Sequence, residues 1–363
     1  MTAHVTLVGD FAVYDGYGGM NEYMARGMQR AGARVSVMPF FLDSRGCSEE
    51  FLRLVAHSPA RVDGPVVYAT WPARPEFGCL VRTDLFARTM YESSRIPARW
   101  AAQLNRARAV IVASHYVADV FRACGVTAPV YVIPDGVDPD VYPYQDRPRR
   151  AGLTTLMVGM VQPRKNYREG VAAWRDAFGD DPDARLIIKS KEGWRDGFTP
   201  DDPRIHVETA SEPTRGITHW YGQADVLMAL GSEGFGIPLI EGMATGLPVI
   251  ALDAAGQADV CRDAGELVLS VKPATWRPHQ HYDSTDVYGV APAARLASRC
   301  ALARSARAIS PGVPGTKLVT GSGRPCESTE TKTIRHSVVF SIEPPFMSPL
   351  RTSTEMFMLV VPV

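Results

Sequence analysis

The sequence predicts an α/β protein of two tandem domains, each with a parallel sheet covered by helices. Its 363 residues are enough for two domains of ordinary size. Short β-branched runs alternate with helical patterns, and the alternation restarts after a turn-rich stretch in the middle. The predicted divisions are 1–148 for the first domain, 149–309 for the second, and 310–363 for an atypical tail whose composition is compatible with disorder.

The first domain is predicted from β-branched runs separated by amphipathic segments. Between 134 and 152, several prolines and a basic pair are typical of an interdomain linker. The predicted strands are 5–8, 34–40, 66–70, 109–113 and 130–133, and the predicted helices are 21–31, 97–106 and 116–123.

The second domain repeats this alternation. Ligands of such sheets bind where strands end and helices begin, so the residues after each strand are the ones to search for a site. The predicted strands are 155–158, 185–189, 226–229 and 249–252, and the predicted helices are 167–178 and 238–245.

Composition excludes several classes of protein. Lys plus Arg equals Asp plus Glu, at 39 each, which gives no bulk argument for binding nucleic acid or an anionic membrane. No segment approaches the roughly 18 consecutive apolar residues of a transmembrane helix, and the N-terminus lacks a signal-peptide pattern. The cysteines are scattered without a C-x-x-C pair. We therefore expect a cytoplasmic protein with reduced thiols, and peripheral membrane association stays open.

The most informative stretch is 231–246, which follows the strand predicted at 226–229. It carries Glu233 before a predicted helix and Glu241 inside the first turns of that helix. Glycines ahead of the helix let the backbone turn sharply, and Pro238 suits the start of a helix. A helix N-terminus favours an anion such as a diphosphate, and a carboxylate can accept two hydroxyls of a sugar. Acidic residues are also ordinary partners of a helix dipole, which is the structural alternative.

The whole string from Ser232 to Ile250 resembles the motif of glycosyltransferase family 4, S-E-G-F-G-x-P-x-x-E-x-x-A-x-G-x-P-V-I, with every element present. The resemblance implies the GT-B fold, in which two Rossmann-like domains face each other across a cleft. It also implies a retaining, metal-independent transfer of a hexose-type sugar from a nucleotide-diphosphate sugar to an acceptor. In this family Glu241 would hold the ribose, and Glu233 would act on the donor sugar. The implied donor-binding residues are Phe235, Gly236, Ile237 and Glu241.

Two cations follow the first strand of the second domain and suit a diphosphate leaving group. Lys165 matches a lysine of the family. The family's arginine would stand at Met160, so Arg164 is the residue expected to supply the second positive charge. Between the first strand and helix of the first domain, Gly18 and Gly19 resemble a glycine pair that lies across the cleft from the donor phosphates.

Two further residues, Tyr91 and Glu92, stand near a strand end where many family members have a histidine, and they are candidates for sugar or acceptor contacts. Asp259 follows the strand at 249–252 and could help to position the donor. The D-x-D match at 138–140 lies in a turn, and we find no convincing metal motif. We therefore expect neither a metal nor a cofactor.

Three other functions stay open from the sequence. One is a GT-B nucleotide-sugar epimerase, and another is a non-catalytic sugar-nucleotide binding protein. A nicotinamide-dependent oxidoreductase is the third, although the dinucleotide-binding fingerprint is missing. The donor base, the sugar and the acceptor, whether glycan, lipid-linked or small molecule, are not identified by any motif.

Overall fold

The first domain contains a parallel sheet in the order β2-β1-β3-β4-β5-β6. The computed structural model describes residues 4–12, 16–59, 61–70, 84–147, 152–179, 181–191, 199–210, 214–264, 267–269, 271–276 and 287–292. The predicted tail, 310–363, lies outside them. The strands are β1 (His4–Ala12), β2 (Arg34–Asp43), β3 (Val66–Ala69), β4 (Leu85–Arg88), β5 (Ala109–Val112) and β6 (Val130–Val132). The helices are α1 (Gly16–Arg30), α2 (Glu49–His57), α3 (Ala98–Leu104) and α4 (His115–Ala123).

The second domain contains a parallel sheet in the order β12-β11-β10-β7-β8-β9. An antiparallel pair follows it, β13 (Val271–Trp276) with β14 (Val287–Pro292). The strands of the sheet are β7 (Thr154–Val158), β8 (Arg185–Lys189), β9 (Ile205–Glu208), β10 (Val226–Ala229), β11 (Val249–Leu252) and β12 (Leu267–Leu269). The helices are α5 (Tyr167–Phe178), α6 (Thr214–Gln223), α7 (Ile237–Ala244) and α8 (Ala255–Asp263).

Both sheets are buried on their two faces, which explains the continuous apolar runs in the sequence. Every residue of β3 and β11 is buried. In the second domain, Trp174 and Ile188 belong to one core cluster, while Leu227 and Tyr221 belong to another. The prediction of two α/β domains with parallel sheets is confirmed, whereas the boundaries at 148 and 309 remain predictions.

The strand orders place a topological switch point in each sheet. In the first sheet the order reverses between β1 and β3, and in the second between β7 and β10. Successive connections leave to opposite sides at such a point, so a crevice opens beyond the carboxyl ends of the two strands. This crevice is where the fold positions a ligand.

The structure differs from the sequence prediction at the start of α1. The helix begins at Gly16, whereas the sequence predicts 21–31, so Gly18 and Gly19 lie in its first turn and not in a loop. Glycine has low helix propensity, and the prediction therefore began after it. Tertiary contacts of this turn override that propensity.

Several elements were not predicted at all: α2, α6, α8, β9 and β12. Of these, α2 carries a local signal, because the hydroxyl of Ser48 accepts a bond from the backbone N–H of Phe51 over 3.2 Å, and two glutamates follow it. Among the described residues, no helix combines the length and the apolar character needed to cross a membrane.

Candidate active site

The acid and the two cations predicted from the sequence meet at the switch point of the second sheet. Arg164 and Lys165 lie in a short 3-10 turn that follows β7, and Glu233 lies in the loop that follows β10. Because β7 and β10 are neighbours in the sheet, their carboxyl ends bring the turn and the loop together. The crevice implied by the strand order is thus lined by charged groups.

These charged groups form a network that also reaches the first domain. The ammonium of Lys165 donates to Oε1 of Glu233. Arg164 donates to Oε2 of Glu233 over 3.2 Å, to the carbonyl of Ser232 over 2.9 Å and to Glu92 over 2.8 Å. The four charged side chains are between 10% and 17% exposed. Two cations therefore face two acids in a largely dry site, where electrostatic interactions are strong.

Burial and pairing act against each other on the pKa values of this network. Burial alone raises the pKa of Glu233, but the neighbouring Lys165 and Arg164 outweigh it, so the pKa lies below its ordinary value. Burial lowers the pKa of Lys165, and the attraction of Glu233 offsets this only in part. The two cations thus favour the ionised form of Glu233, whereas burial disfavours the charged form of Lys165.

The loop that carries Glu233 is fixed by backbone geometry. Gly236 has a φ of 111°, in the left-handed region, and a Cβ there would lie 2.3 Å from Cδ1 of Leu239. Gln257, which is fully buried, accepts from the N–H of Glu233 over 3.1 Å and donates to the carbonyl of Gly231 over 2.8 Å. Gln257 carries no signal in the sequence, because a buried amide gives no local pattern.

The first turns of α1 and α7 come together across the two domains. A Cβ atom at Gly16 would lie 3.2 Å from Cδ1 of Ile237, the first residue of α7. Gly18 is buried and Gly19 is half-buried in the same turn of α1. Phe235, just before α7, is 4% exposed. Two positive helix ends therefore lie near the loop of Glu233, which favours an anion there.

Glu241 lies apart from this ion-pair network. Its Oε1 accepts from the hydroxyl of Tyr142 over 2.6 Å, and its Oε2 accepts from the hydroxyl of Tyr221 over 2.7 Å. Burial raises the pKa of Glu241 and outweighs the lowering effect of the two hydrogen bonds. Neither tyrosine was identified from the sequence, because both lie far from Glu241 along the chain.

The two candidate residues of the first domain have different positions. The ring of Tyr91 packs edge-to-face on Trp100, with centroids 4.8 Å apart, and is 1% exposed. Glu92 instead reaches Arg164. The segment before them is held by Tyr17, whose hydroxyl donates to the carbonyl of Met90 over 2.9 Å and accepts from its N–H over 2.8 Å. Glu92 is therefore the member of the predicted pair that lies at the site.

Further contacts hold the two domains against the loop of Glu233. The hydroxyl of Ser114 donates to the carbonyl of Gly234 over 2.6 Å, and the hydroxyl of Ser232 donates to the carbonyl of Glu92 over 3.1 Å. The carboxylate of Asp259 accepts from the N–H of Tyr116 at the start of α4 over 3.2 Å, so it joins the domains. The structure therefore shows the domains in contact around this loop.

Polar side chains lie at the switch point of each sheet. In the second domain a pocket lies between β7, β10 and the start of α7, and its polar lining includes Lys165, Tyr167 and Glu233. In the first domain the hydroxyl of Thr70, after β3, donates to the carboxylate of Asp10 in β1 over 3.0 Å. Within the described part of the chain, no group of three or more His, Cys, Asp or Glu side chains could hold a metal ion.

Two family models match this chain, one in each domain. The model described as "Glycosyl transferases group 1" matches 152–276, which contains the charged network of the second domain. The model described as "Glycosyltransferase Family 4" matches 82–141, which contains Glu92 and the start of the linker. Both domains thus match family models of glycosyltransferases. The family expected from the motif at 232–250 is thereby confirmed.

Solved structures show that this chain has the GT-B fold expected from the sequence. A glycosyltransferase from Rickettsia africae is similar with a TM-score of 0.57 at 15% identity, over 85% of this chain and 88% of that one. WaaG, a glycosyltransferase involved in lipopolysaccharide biosynthesis, is similar with a TM-score of 0.53 at 15% identity, over 73% of this chain and 86% of that one.

A curated protein that is similar to part of this chain is the serotype-specific mannosyltransferase WbdA of Escherichia coli. The two are 30% identical over 111 residues, which is 28% of this chain and 14% of WbdA. The similarity therefore concerns a small part of the longer protein. The transfer of mannose, which its name gives, is a property of WbdA.

Proposed function

We propose that this protein is a retaining, metal-independent glycosyltransferase that moves a hexose-type sugar from a nucleotide-diphosphate sugar to an acceptor hydroxyl. The proposal rests on one observation. Two cations, the buried Arg164 and the largely buried Lys165, converge on Glu233 beside the N-terminus of α7. A diphosphate at that helix end would meet two cations and the helix dipole, which is the arrangement a departing diphosphate requires.

In the proposed reaction, the bond from the anomeric carbon to the diphosphate oxygen breaks while the acceptor oxygen bonds to the same face of that carbon. The acceptor proton passes to the departing diphosphate oxygen, so the atoms and charges balance. Negative charge grows on the diphosphate, and Arg164 and Lys165 stabilise it because they are preorganised in a dry site. Glu233 then faces the positive charge that develops on the sugar.

The domain contacts give this reaction a way to exclude water. Glu92 and Ser114 of the first domain reach Arg164 and Gly234 of the second. Closure around the donor would keep water from hydrolysing the activated sugar. The acceptor, a hydroxyl of a glycan, a lipid-linked saccharide or a small molecule, would enter from the first domain, where Asp10 and Thr70 line the other switch point. We expect the reaction to take place in the cytoplasm.

The test is a thermal-shift screen of the purified chain against UDP-, GDP-, ADP- and TDP-sugars, mannose included, followed by turnover assays with EDTA. A shift with one nucleotide series, transfer that persists in EDTA, and retained anomeric configuration in the product would support the proposal. Absence of a shift with every series, or inverted product, would overturn it.

The same assays separate the remaining functions. Isomerised donor formed without an acceptor identifies an epimerase, and donor binding without transfer or hydrolysis to any acceptor tried identifies a non-catalytic binding protein. A shift with NAD, and none with sugar nucleotides, identifies an oxidoreductase. Each of these three results contradicts the proposed transfer.

A further inference from the structure

Glu241 differs from Glu233 in the chemistry of its partners. Both oxygens of Glu233 accept from cations, whereas both oxygens of Glu241 accept from neutral phenols, those of Tyr142 and Tyr221. A cation neutralises the carboxylate it binds, but a phenol orients the carboxylate and leaves its charge in place. Glu241 is therefore a buried acceptor that is oriented by two neutral groups.

The two phenols hold this carboxylate rigidly. Tyr142 is 1% exposed, Tyr221 is fully buried and Glu241 is 7% exposed. The two rings pack edge-to-face on each other with centroids 6.1 Å apart. An ionised carboxylate has about four acceptor positions, and the phenols use two of them. The two remaining acceptor positions equal the number that two neighbouring hydroxyls, such as those of a ribose, would need.

Tyr142 reaches Glu241 from the segment that joins the domains, and this segment is fastened to the second domain on either side of the tyrosine. Before it, the hydroxyl of Thr218 in α6 donates to the carbonyl of Val141 over 3.1 Å. After it, the N–H of Gln145 donates to the carbonyl of Thr245 over 3.2 Å. The phenol thus has a fixed position relative to α7.

We propose that Tyr142, together with Tyr221, is a positioning residue that orients the Glu241 carboxylate for the ribose hydroxyls of the donor nucleotide. The proposal rests on the proposed function, because it needs a nucleotide at Glu241. Fixing the side chain before binding removes the rotamer entropy that the nucleotide would otherwise have to offset. The linker thereby contributes to nucleotide affinity without touching the sugar or the phosphates.

The test compares ribonucleotides with their 2′,3′-dideoxy counterparts by isothermal titration calorimetry. The probes are ADP, GDP and UDP and the three dideoxy forms, with the wild-type chain and the Tyr142→Phe variant. Leaving the Glu241 side chain free to reorient before binding corresponds to a loss of about twofold to tenfold in affinity, and this loss should appear for the ribonucleotide alone. With the dideoxynucleotide, wild type and variant should bind equally.

Equal weakening for both nucleotide forms would overturn the proposal, because it would show a general structural role for Tyr142. An unchanged ribonucleotide affinity would overturn it as well. Tyr144→Phe is the matched control, since Tyr144 lies on the same segment and is 72% exposed; the same effect in this variant would also contradict the proposal. If Tyr142→Phe does not fold, Tyr221→Phe replaces it in the same comparison, because it removes the hydrogen bond to the other carboxylate oxygen of Glu241.

Two further measurements complete the design. Tyr142→Phe should raise the donor KM and leave kcat within about twofold, because the lost interaction is made equally in the ground and transition states. Glu241→Ala separates the two proposals. If it binds ribo- and dideoxynucleotides as the wild type does, the donor assignment itself is wrong; if it loses the ribose preference while Tyr142→Phe keeps it, only the positioning role is wrong.

Discussion

The guanidinium of Arg164 donates to the carboxylate of Glu92 over 2.8 Å and so joins the second domain to the first. The same guanidinium donates to Glu233 over 3.2 Å, so a single cation ties together an acid from each domain. Any movement that separates the domains at this place must break the contact with Glu92. A bound diphosphate would compete with both acids for the cation.

The Glu92–Arg164 pair should show measurable coupling in stability. In a double-mutant cycle of Glu92→Gln and Arg164→Gln, we expect a coupling of about 1–2 kcal/mol, because the pair is largely buried. Urea unfolding at neutral pH measures it. The control is the surface pair Glu49–Arg53, whose side chains are 86% and 72% exposed and which should show no resolvable coupling. Equal coupling in the two cycles would contradict a bridge between the domains.

Lys165→Ala should lower kcat about 100-fold, because a preorganised cation at the leaving group acts mainly in the transition state. The donor KM should change much less. Arg168→Ala is the matched control, since Arg168 lies three residues further along and is exposed. Steady-state kinetics with the donor found in the screen measures both variants. A kcat for Lys165→Ala close to that of the control would remove Lys165 from the proposed machinery.

Gly236→Ala should destabilise the protein by about 2–3 kcal/mol and abolish donor binding, because a Cβ meets the buried Leu239 in a left-handed backbone. Gly32 has a φ of 87° with open space around it, so Gly32→Ala should cost only about 1 kcal/mol of backbone strain. Gly27→Ala, in α1 with open space, should be neutral or stabilising. Chemical unfolding measures the stability of all three variants. An equal loss of stability for Gly236→Ala and Gly32→Ala would contradict the predicted clash with Leu239.

The two site glutamates should respond to pH in opposite directions. The pKa of Glu233 is lowered from its ordinary 4.5, with the attraction of Lys165 and Arg164 outweighing burial. Its contribution to stability is complete above 4.5 and is lost as the pH falls through the folded-state pKa. Glu233→Gln should therefore cost roughly 2 kcal/mol at neutral pH, and the cost should shrink on acidification.

For Glu241 the pH dependence of stability has the opposite sign, because burial raises the pKa above 4.5. Its contribution is present below 4.5 and is lost as the pH rises through the folded-state pKa. The stability of Glu241→Gln relative to the wild type should hence improve as the pH rises. Urea unfolding between about pH 4 and 7 measures both variants, and parallel pH trends would show that one of the two environments is wrongly described.

Local patterns in the sequence predict most strands of the two sheets, although not β9 or β12, and they predict the motif at 232–250. Parallel strands are buried on both faces, so their apolar runs are visible locally. In the motif, the glycine turn, the helix start and the two glutamates lie within one short stretch, so the chemistry of neighbouring residues is enough to predict them. The start of α1 was predicted too late, because local propensity disfavours the glycines that tertiary packing keeps helical.

Which side chains meet is visible only in the folded structure. Tyr142 and Glu241 are separated by 99 positions, and Glu92 and Arg164 come from different domains. The folded structure also distinguishes Tyr91, whose ring packs in the core, from Glu92, which reaches the site. Such pairings depend on where whole strands and helices bring distant parts of the chain, and no local propensity or periodicity encodes that position. The strand order, with its switch point between β7 and β10, is the physical reason why these distant residues form one site.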